Sequence, residues 1–230
     1  MPRRLAIAAA VVLLVGACSQ IEAFDPTPSP IALTDPLDRS VARRLDYTTR
    51  TNADCQAWMV GQFVEFSPVS DQTDGEFCVV EGAVTLGDEF GGAALKLSPS
   101  RPMMVCPLGA GIAYWRTQSL EPAARELLGA GVAQIDHLGV YACRRIYGQD
   151  AGRPSAHARA AAIDIAGFRL TDGRRINVER DWMKAGPEGQ FLRRVRDDAC
   201  AVFGAVLSPD YNAEHANHLH IEAGRGRLCS

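Results

Sequence analysis

The sequence lacks several things whose absence narrows what the chain can be. No apolar run approaches the roughly 20 residues that a comfortable transmembrane helix needs; the stretch 5–15 is too short. There is no excess of positive charge: 24 Lys and Arg stand against 27 Asp and Glu, a net charge of -3. Nucleic acid is therefore not an expected partner, because the phosphate backbone is bound mainly through such an excess. No CxxC or comparably close cysteine pair exists, which argues against a cysteine-built zinc site. Internal repeats are absent too. Histidine is scarce, with five in 230 residues, so its placement carries weight.

What is present is ordinary for one substantial globular domain: 47% hydrophobic and 22% charged residues. Residues 1–17 have the form of an export signal, with Arg3 and Arg4 before the apolar run and Gly16-Ala17 at its end. Val15-Gly16-Ala17-Cys18 resembles a bacterial lipobox, which implies lipidation of Cys18; the plain alternative is a cleaved signal with an incidental cysteine. By resemblance to such lipoproteins, Ser19 after the cysteine points to a periplasmic protein anchored to the outer membrane. Residues 18–50, with Pro26, Pro28, Pro30 and Pro36, read as an extended tether. A short helix near 37–45 is allowed within it, and the domain itself is expected over 51–230.

Six further cysteines, Cys55, Cys78, Cys106, Cys143, Cys200 and Cys229, form an even set behind an export signal and so read as three disulfides. Connectivity cannot be deduced from the sequence; the pairs nearest in sequence are Cys55–Cys78, Cys106–Cys143 and Cys200–Cys229. Short strands are expected at 79–80, 83–86, 139–142 and 162–165, with a last strand through His218 and Ile221. A helix over 122–128 opens with proline and stops at Gly129. Another, over 188–203, places Phe191, Leu192, Val195, Ala199, Val202 and Phe203 at spacings of three and four, with Arg193, Arg194 and Arg196 on a solvated face. Strands mixed irregularly with helices predict an α+β fold.

Four histidines fall in two short segments, while His137 stands alone and reads as structural. His157 and Asp164 are seven apart. A helix would separate them by about 10.5 Å, and a flat strand would point them to opposite faces. They can share a metal only if the chain bends between them, a loop carrying His157 leading into a strand that carries Asp164. Downstream, His218 and His220 have the parity of one strand face, whereas His215 must sit on the loop before it. Two imidazoles and one carboxylate leave a coordination position open, the composition of catalytic rather than structural zinc.

At these residues the chain resembles known peptidases. Ser155-x-His157-x-x-Ala160-x-Ala162-x-Asp164 is similar to the SxHxxGxAxD motif of the D-Ala-D-Ala metallopeptidases, with alanine in place of the motif's glycine at 160. His218-Leu219-His220 resembles the HxH motif of the group that joins these enzymes to lysostaphin-type peptidases and the hedgehog domain. The resemblance implies a Zn2+ held by His157, Asp164 and His220, and an antiparallel sheet with flanking helices. The spacing of His215, His218 and His220 is similar to that of penicillin-insensitive murein endopeptidases, which implies His215 as general base and His218 as a partner of the transition state. Glu214 is the rival base. Over residues 55–230 the chain also resembles the bacterial extensin-like C-terminal family, through Leu97-Ser98-Pro99, Cys106-Pro107, Trp115, Tyr141-Ala142-Cys143-Arg144, Asp181-Trp182 and 207–212. Arg144 stands either as a substrate-facing arginine or as an ordinary surface one.

The function these features imply is that of a periplasmic zinc peptidase acting on peptidoglycan stem peptides at a D-Ala-linked bond, as endopeptidase or carboxypeptidase. The alternatives are a zinc-stabilised, non-catalytic cell-wall-binding lipoprotein, and a histidine cluster that scavenges metal without defined stoichiometry.

Overall fold

The structure, a computed structural model, describes residues 27–224, 226 and 228–230. The expected signal over 1–17 and Cys18 lie outside them. Two helices come first, α1 (Val41–Thr48) and α2 (Asn52–Gly61). Seven strands follow: β1 (Val64–Pro68), β2 (Gln72–Asp74), β3 (Cys78–Val80), β4 (Ala83–Phe90), β5 (Ala93–Ala94), β6 (Lys96–Ser98) and β7 (Met103–Val105). Helices α3 (Cys106–Trp115) and α4 (Glu121–Leu128) lead to strands β8 (Val132–Gly139), β9 (Ala162–Leu170) and β10 (Arg175–Asn177). The chain closes with α5 (Val178–Asp181), α6 (Pro187–Ala199), β11 (Ala205–Leu207), β12 (Leu219–Glu222) and β13 (Leu228–Cys229).

This is a mixed α+β fold. Its main sheet runs β13-β11-β12-β9-β8-β6, with β10 also paired to β9. Pairing is antiparallel throughout its centre, and the edge pairs β11–β13 and β6–β8 are parallel. Strands β1, β4, β5 and β7 form a second, antiparallel sheet, and β2–β3 a small hairpin. Strand β9 has strands on both sides and buries residues on both faces, which suits its apolar run Ala162, Ile163, Ile165, Phe168 and Leu170.

Helix α3 is almost wholly buried, so its apolar residues show no single face and no periodic signal. Trp115 anchors it, with edge contacts to Phe168 and Phe203 at 6.2 and 6.1 Å and an Nε1–H bond to the Val195 carbonyl. Gly111 permits the approach of Phe203, whose ring would stand 2.6 Å from a Cβ there. A π-helical turn (Arg116–Leu120) joins α3 to α4. Pro122 has no N–H to donate, and the wider turn before it absorbs that gap. Helix α4 ends as expected, on Gly129 in the left-handed conformation at φ 70.

Four expectations need correction. The disulfides are Cys55–Cys106, Cys78–Cys143 and Cys200–Cys229, with Cα separations of 6.1, 5.5 and 5.7 Å. Only the last is a nearest-in-sequence pair, because α2 packs on α3 and the β2–β3 hairpin lies against the segment after β8. The tether over 18–50 does not extend through its second half. Ile31 and Leu33 are buried, and their backbones bond to Thr48, Trp58 and Gln62. Val41 and Leu45 of α1 are buried as well. The expected strand at 139–142 lies instead at Val132–Gly139, because the backbone beyond it pairs with the His157 turn. The helix expected to reach residue 203 stops at Ala199, and Val202 and Phe203 are buried in the turn beyond it. Of its arginines, Arg194 is solvated, whereas Arg193 bonds the Trp182 carbonyl and Arg196 lies over the Trp182 ring.

No helix among the described residues is long and apolar enough to cross a membrane. Two outcomes are expected from this packing. Peptide mapping without reduction recovers the three pairings above. A chain starting at residue 51 unfolds at a clearly lower denaturant midpoint than one starting at 27, because burying one such aliphatic side chain is worth about 1.5–3 kcal/mol and four are lost (Ile31, Leu33, Val41 and Leu45).

Candidate metal centre

The bend demanded by His157 and Asp164 is present. Ser155 caps a single 3-10 turn, Ala156–Arg159, by accepting from the His157 N–H. The turn ends on Ala160, whose φ of 52 and ψ of 30 are left-handed. This is the position where the resembling motif carries glycine, and alanine occupies it with a fully buried methyl group. Strand β9 then starts at Ala162 and carries Asp164 back beneath His157. On the next strand, His220 lies directly across from Asp164 in the antiparallel register.

His157, Asp164 and His220 therefore converge, each offering one ligand atom, all within 4.8 Å of one another. His157 Nε2 is 3.2 Å from His220 Nδ1 and 3.2 Å from Asp164 Oδ2; His220 Nδ1 is 2.8 Å from Asp164 Oδ1. Tetrahedral ligands at zinc-like bond lengths of about 2.1 Å stand about 3.4 Å apart, so the cluster can close on a metal ion with little movement.

The outer nitrogens are held as well. His157 Nδ1 lies 2.9 Å from the Val140 carbonyl, which only accepts, so Nδ1 carries the proton and Nε2 faces the cluster with a lone pair. His220 Nε2–H donates to Glu222 Oε1 at 2.9 Å, which turns Nδ1 inward. The converging donors are thus Nε2 of one ring and Nδ1 of the other.

Without a metal the site is charged and buried. Burial alone would raise the Asp164 carboxyl, but the His157 and His220 imidazoles beside it outweigh burial and hold the carboxyl well below its ordinary range. Burial alone would lower His220, but its bonds to Asp164 and Glu222 dominate and push it up to about 9. Burial, then the neighbouring His218 and His220, lower His215 to about 4, so that ring is neutral at pH 7. His218 is lowered chiefly by burial.

A cleft of about 1060 Å³ opens over the cluster, lined by Asp164, His215, His218 and His220 among others. His215 is buried, on a 3-10 turn (Ala213–His215), and its ring centroid is 5.8 Å from that of His220. His218 precedes β12 and sets its Nε2 3.4 Å from Asp164 Oδ1, so it shares the face of His220 as the parity predicted. Glu214 lines the same cleft but is exposed. Arg144 lines it too, in the company of Arg153 and Arg159. His137 is apart from the cluster, buried, with Nε2–H donating to the Pro99 carbonyl at 2.8 Å.

Several supporting residues escaped the reading of the sequence: Glu222 behind His220, Asn212 behind His215, Asn217 beside His218 and the carbonyl of Val140 behind His157. Glu222 was within reach, since it lies two beyond His220 on a strand and so shares its face. The Val140 carbonyl has no side-chain signal at all. Trp182 acts from outside the site: its Nε1–H bonds Asp210 at 2.8 Å and steadies the segment that enters the histidine cluster.

A family model described as "Extensin-like protein C-terminus" matches residues 53–230. No curated protein and no solved structure matches the chain.

The raised pKa of His220 has a consequence for the metal-free protein. Its stabilising effect is complete below the unfolded value of about 6.5 and is lost as pH rises through about 9. The urea midpoint of chelator-treated protein is expected to fall over that interval, by up to about 3 kcal/mol of stability. With saturating metal, which displaces the same proton, the midpoint stays flat there.

Proposed function

The chain belongs to the extensin-like C-terminal family, and on that premise we propose that it is a zinc-dependent peptidase of the bacterial cell wall. The proposed substrate is a peptidoglycan stem peptide, cleaved at a D-Ala-linked bond by an endopeptidase or carboxypeptidase reaction. The proposed setting is the periplasm, with lipid at Cys18 holding the protein to the outer membrane. The proposed fold relationship is with the hedgehog and D-Ala-D-Ala peptidase group, supported by Ser155, His157, Ala162 and Asp164 in the first motif and by His218-Leu219-His220 in the second.

One observation carries the reading. Two imidazoles and a carboxylate converge at tetrahedral ligand spacing, each imidazole oriented by an acceptor behind it, at the base of an open cleft that also presents an unligated histidine. A structural site closes its coordination with protein groups, whereas a catalytic site keeps a position free. The chemistry that zinc supplies when bound there is acidification of water and polarisation of a peptide carbonyl.

The residues of the chain supply the rest. His157, Asp164 and His220 hold the ion, with Val140 and Glu222 keeping both imidazoles in the required tautomers. His215 is the proposed base: neutral at pH 7, it accepts a proton from the attacking water and returns it to the leaving amine. Glu214 is exposed and its side chain has no hydrogen-bond partner among the described residues, which favours His215 over its rival. His218 Nδ1 lies 2.7 Å from Asn217 Oδ1, which puts the proton on Nδ1; stabilising the developing oxyanion from Nε2 requires that amide to flip, so that its N–H meets Nδ1 and Nε2 carries the proton. Arg144, at the cleft wall, meets a substrate carbonyl or carboxylate.

The test is to incubate zinc-loaded protein with isolated peptidoglycan and identify the released fragments by mass spectrometry. New peptide ends at D-Ala are expected. His215→Ala should retain stoichiometric zinc and lose about 10²–10⁴-fold in kcat, Glu214→Ala should lose little, and His220→Ala should lose the metal. Absence of cleavage by fully loaded protein, across several wall chemistries, would shift the reading to a non-catalytic wall-binding protein.

A further inference from the structure

Asn212 lies between Tyr211 and Glu214, which line the cleft, and its side chain makes three contacts. Its Oδ1 is 3.1 Å from the backbone nitrogen of Glu214 and 2.6 Å from His215 Nδ1, while its Nδ2 is 3.3 Å from the Tyr147 hydroxyl. The first contact settles the orientation of the amide, because a backbone N–H can only donate and the atom facing it must be the oxygen. That oxygen cannot donate to His215, so the proton between them belongs to His215 Nδ1. A neutral imidazole with its proton on Nδ1 has its lone pair on Nε2. The tautomer of His215 thus follows from a peptide N–H two residues after Asn212.

The third contact comes from across the cleft. Residues 145–154 form an arch, pinned at its base by the pairing of Arg145 with Pro154, by the Arg145 guanidinium donating to the Gly152 carbonyl, and by its seat over the Phe77 ring. Tyr147 lies on this arch in a left-handed conformation, φ 57, which a non-glycine residue holds only when its surroundings favour it. Its hydroxyl accepts from the Asn212 amide, next in sequence to Tyr211, whose ring stands edge-on to His215 at 5.5 Å. The arch and the histidine segment meet at Asn212.

We infer that Asn212 is a positioning residue for His215, holding it as the Nδ1–H tautomer with Nε2 free, and that Tyr147 on the facing arch braces Asn212 from outside. This rests on the proposed role of His215 as base, but the hydrogen-bond logic stands without it. Without the Asn212 acceptor, the ring also populates the Nε2–H tautomer, which has no lone pair there to take a proton.

Long-range proton–nitrogen NMR spectra of zinc-loaded protein, labelled at histidine nitrogen, report which ring nitrogen carries the proton. In the wild type, His215 is expected to be protonated on Nδ1. Asn212→Ala is expected to show a tautomer mixture, with full zinc, unchanged KM on a soluble cross-linked muropeptide and a kcat lower by about 10–100-fold. Tyr147→Phe shifts both readings in the same direction by less. Asn212→Asp keeps an acceptor and the turn cap; it should restore the single tautomer and move the acid limb of the kcat profile to higher pH, because a carboxylate favours the imidazolium. A His215 that stays wholly Nδ1-protonated in Asn212→Ala, or an Asn212→Asp protein with an unmoved profile, would overturn the inference. If the wild type cleaves no muropeptide, the proposed function fails, and the spectra still decide the role of Asn212.

Discussion

The site depends on one register: β9 against β12, with Asp164 opposite His220. Side chains alternate along a strand, so a slip of one residue would turn either group to the other face and dissolve the cluster. The pairing is held from both sides. Beyond β9 lies β8, and beyond β12 lies β11. The apolar neighbours Ile163, Ile165, Leu219 and Ile221 are all fully buried, which makes any other register expensive. The polar residues of the candidate metal site are thus placed by hydrophobic residues adjacent to them in sequence.

The same division explains what the sequence disclosed. His157, Asp164 and His220 could be associated before any coordinates through their resemblance to the metallopeptidase motifs, and helix rise and strand parity added that the chain must bend between the first two. The structure supplies that bend at Ala160. The helix at 122–128 was legible through its proline and glycine punctuation, and α6 through its periodic core face, apart from its end. Helix α3 was not, since burial on all sides leaves no amphipathic pattern to read. Disulfide partners depend on which elements pack together, a property of topology rather than of spacing, and two of the three expected pairs failed for that reason. The tether reading went astray because prolines dominate 26–36 in composition, while the two residues that fasten the segment, Ile31 and Leu33, are isolated apolar positions between them.

Acceptors set the protonation pattern of the histidines. Val140 offers a carbonyl to His157, Glu222 a carboxylate to His220 and Asn212 an amide oxygen to His215. The chemistry of each acceptor suits the place. A neutral carbonyl orients a ring without charging it, whereas the Glu222 carboxylate adds basicity to His220, the ring that stands nearest Asp164. The Cys78–Cys143 disulfide joins the β3 hairpin, whose Phe77 and Val79 line the cleft, to the segment that carries Val140 and Arg144. It therefore ties the wall of the cleft to its base.

The packing of residues 31–50 onto α2 and α3 also changes a length. Under the proposed lipidation, a free chain from Cys18 to residue 50 could extend to about 110 Å. With Ile31 already built into the domain, 12 residues remain between the anchor and the fold, a span of at most about 45 Å. Under the proposed function and anchoring together, a leash that short would confine the protein to the layer of wall nearest its own membrane. The reach of the proposed anchor would then be set by two buried aliphatic side chains, Ile31 and Leu33, far in sequence from the His157, Asp164 and His220 cluster.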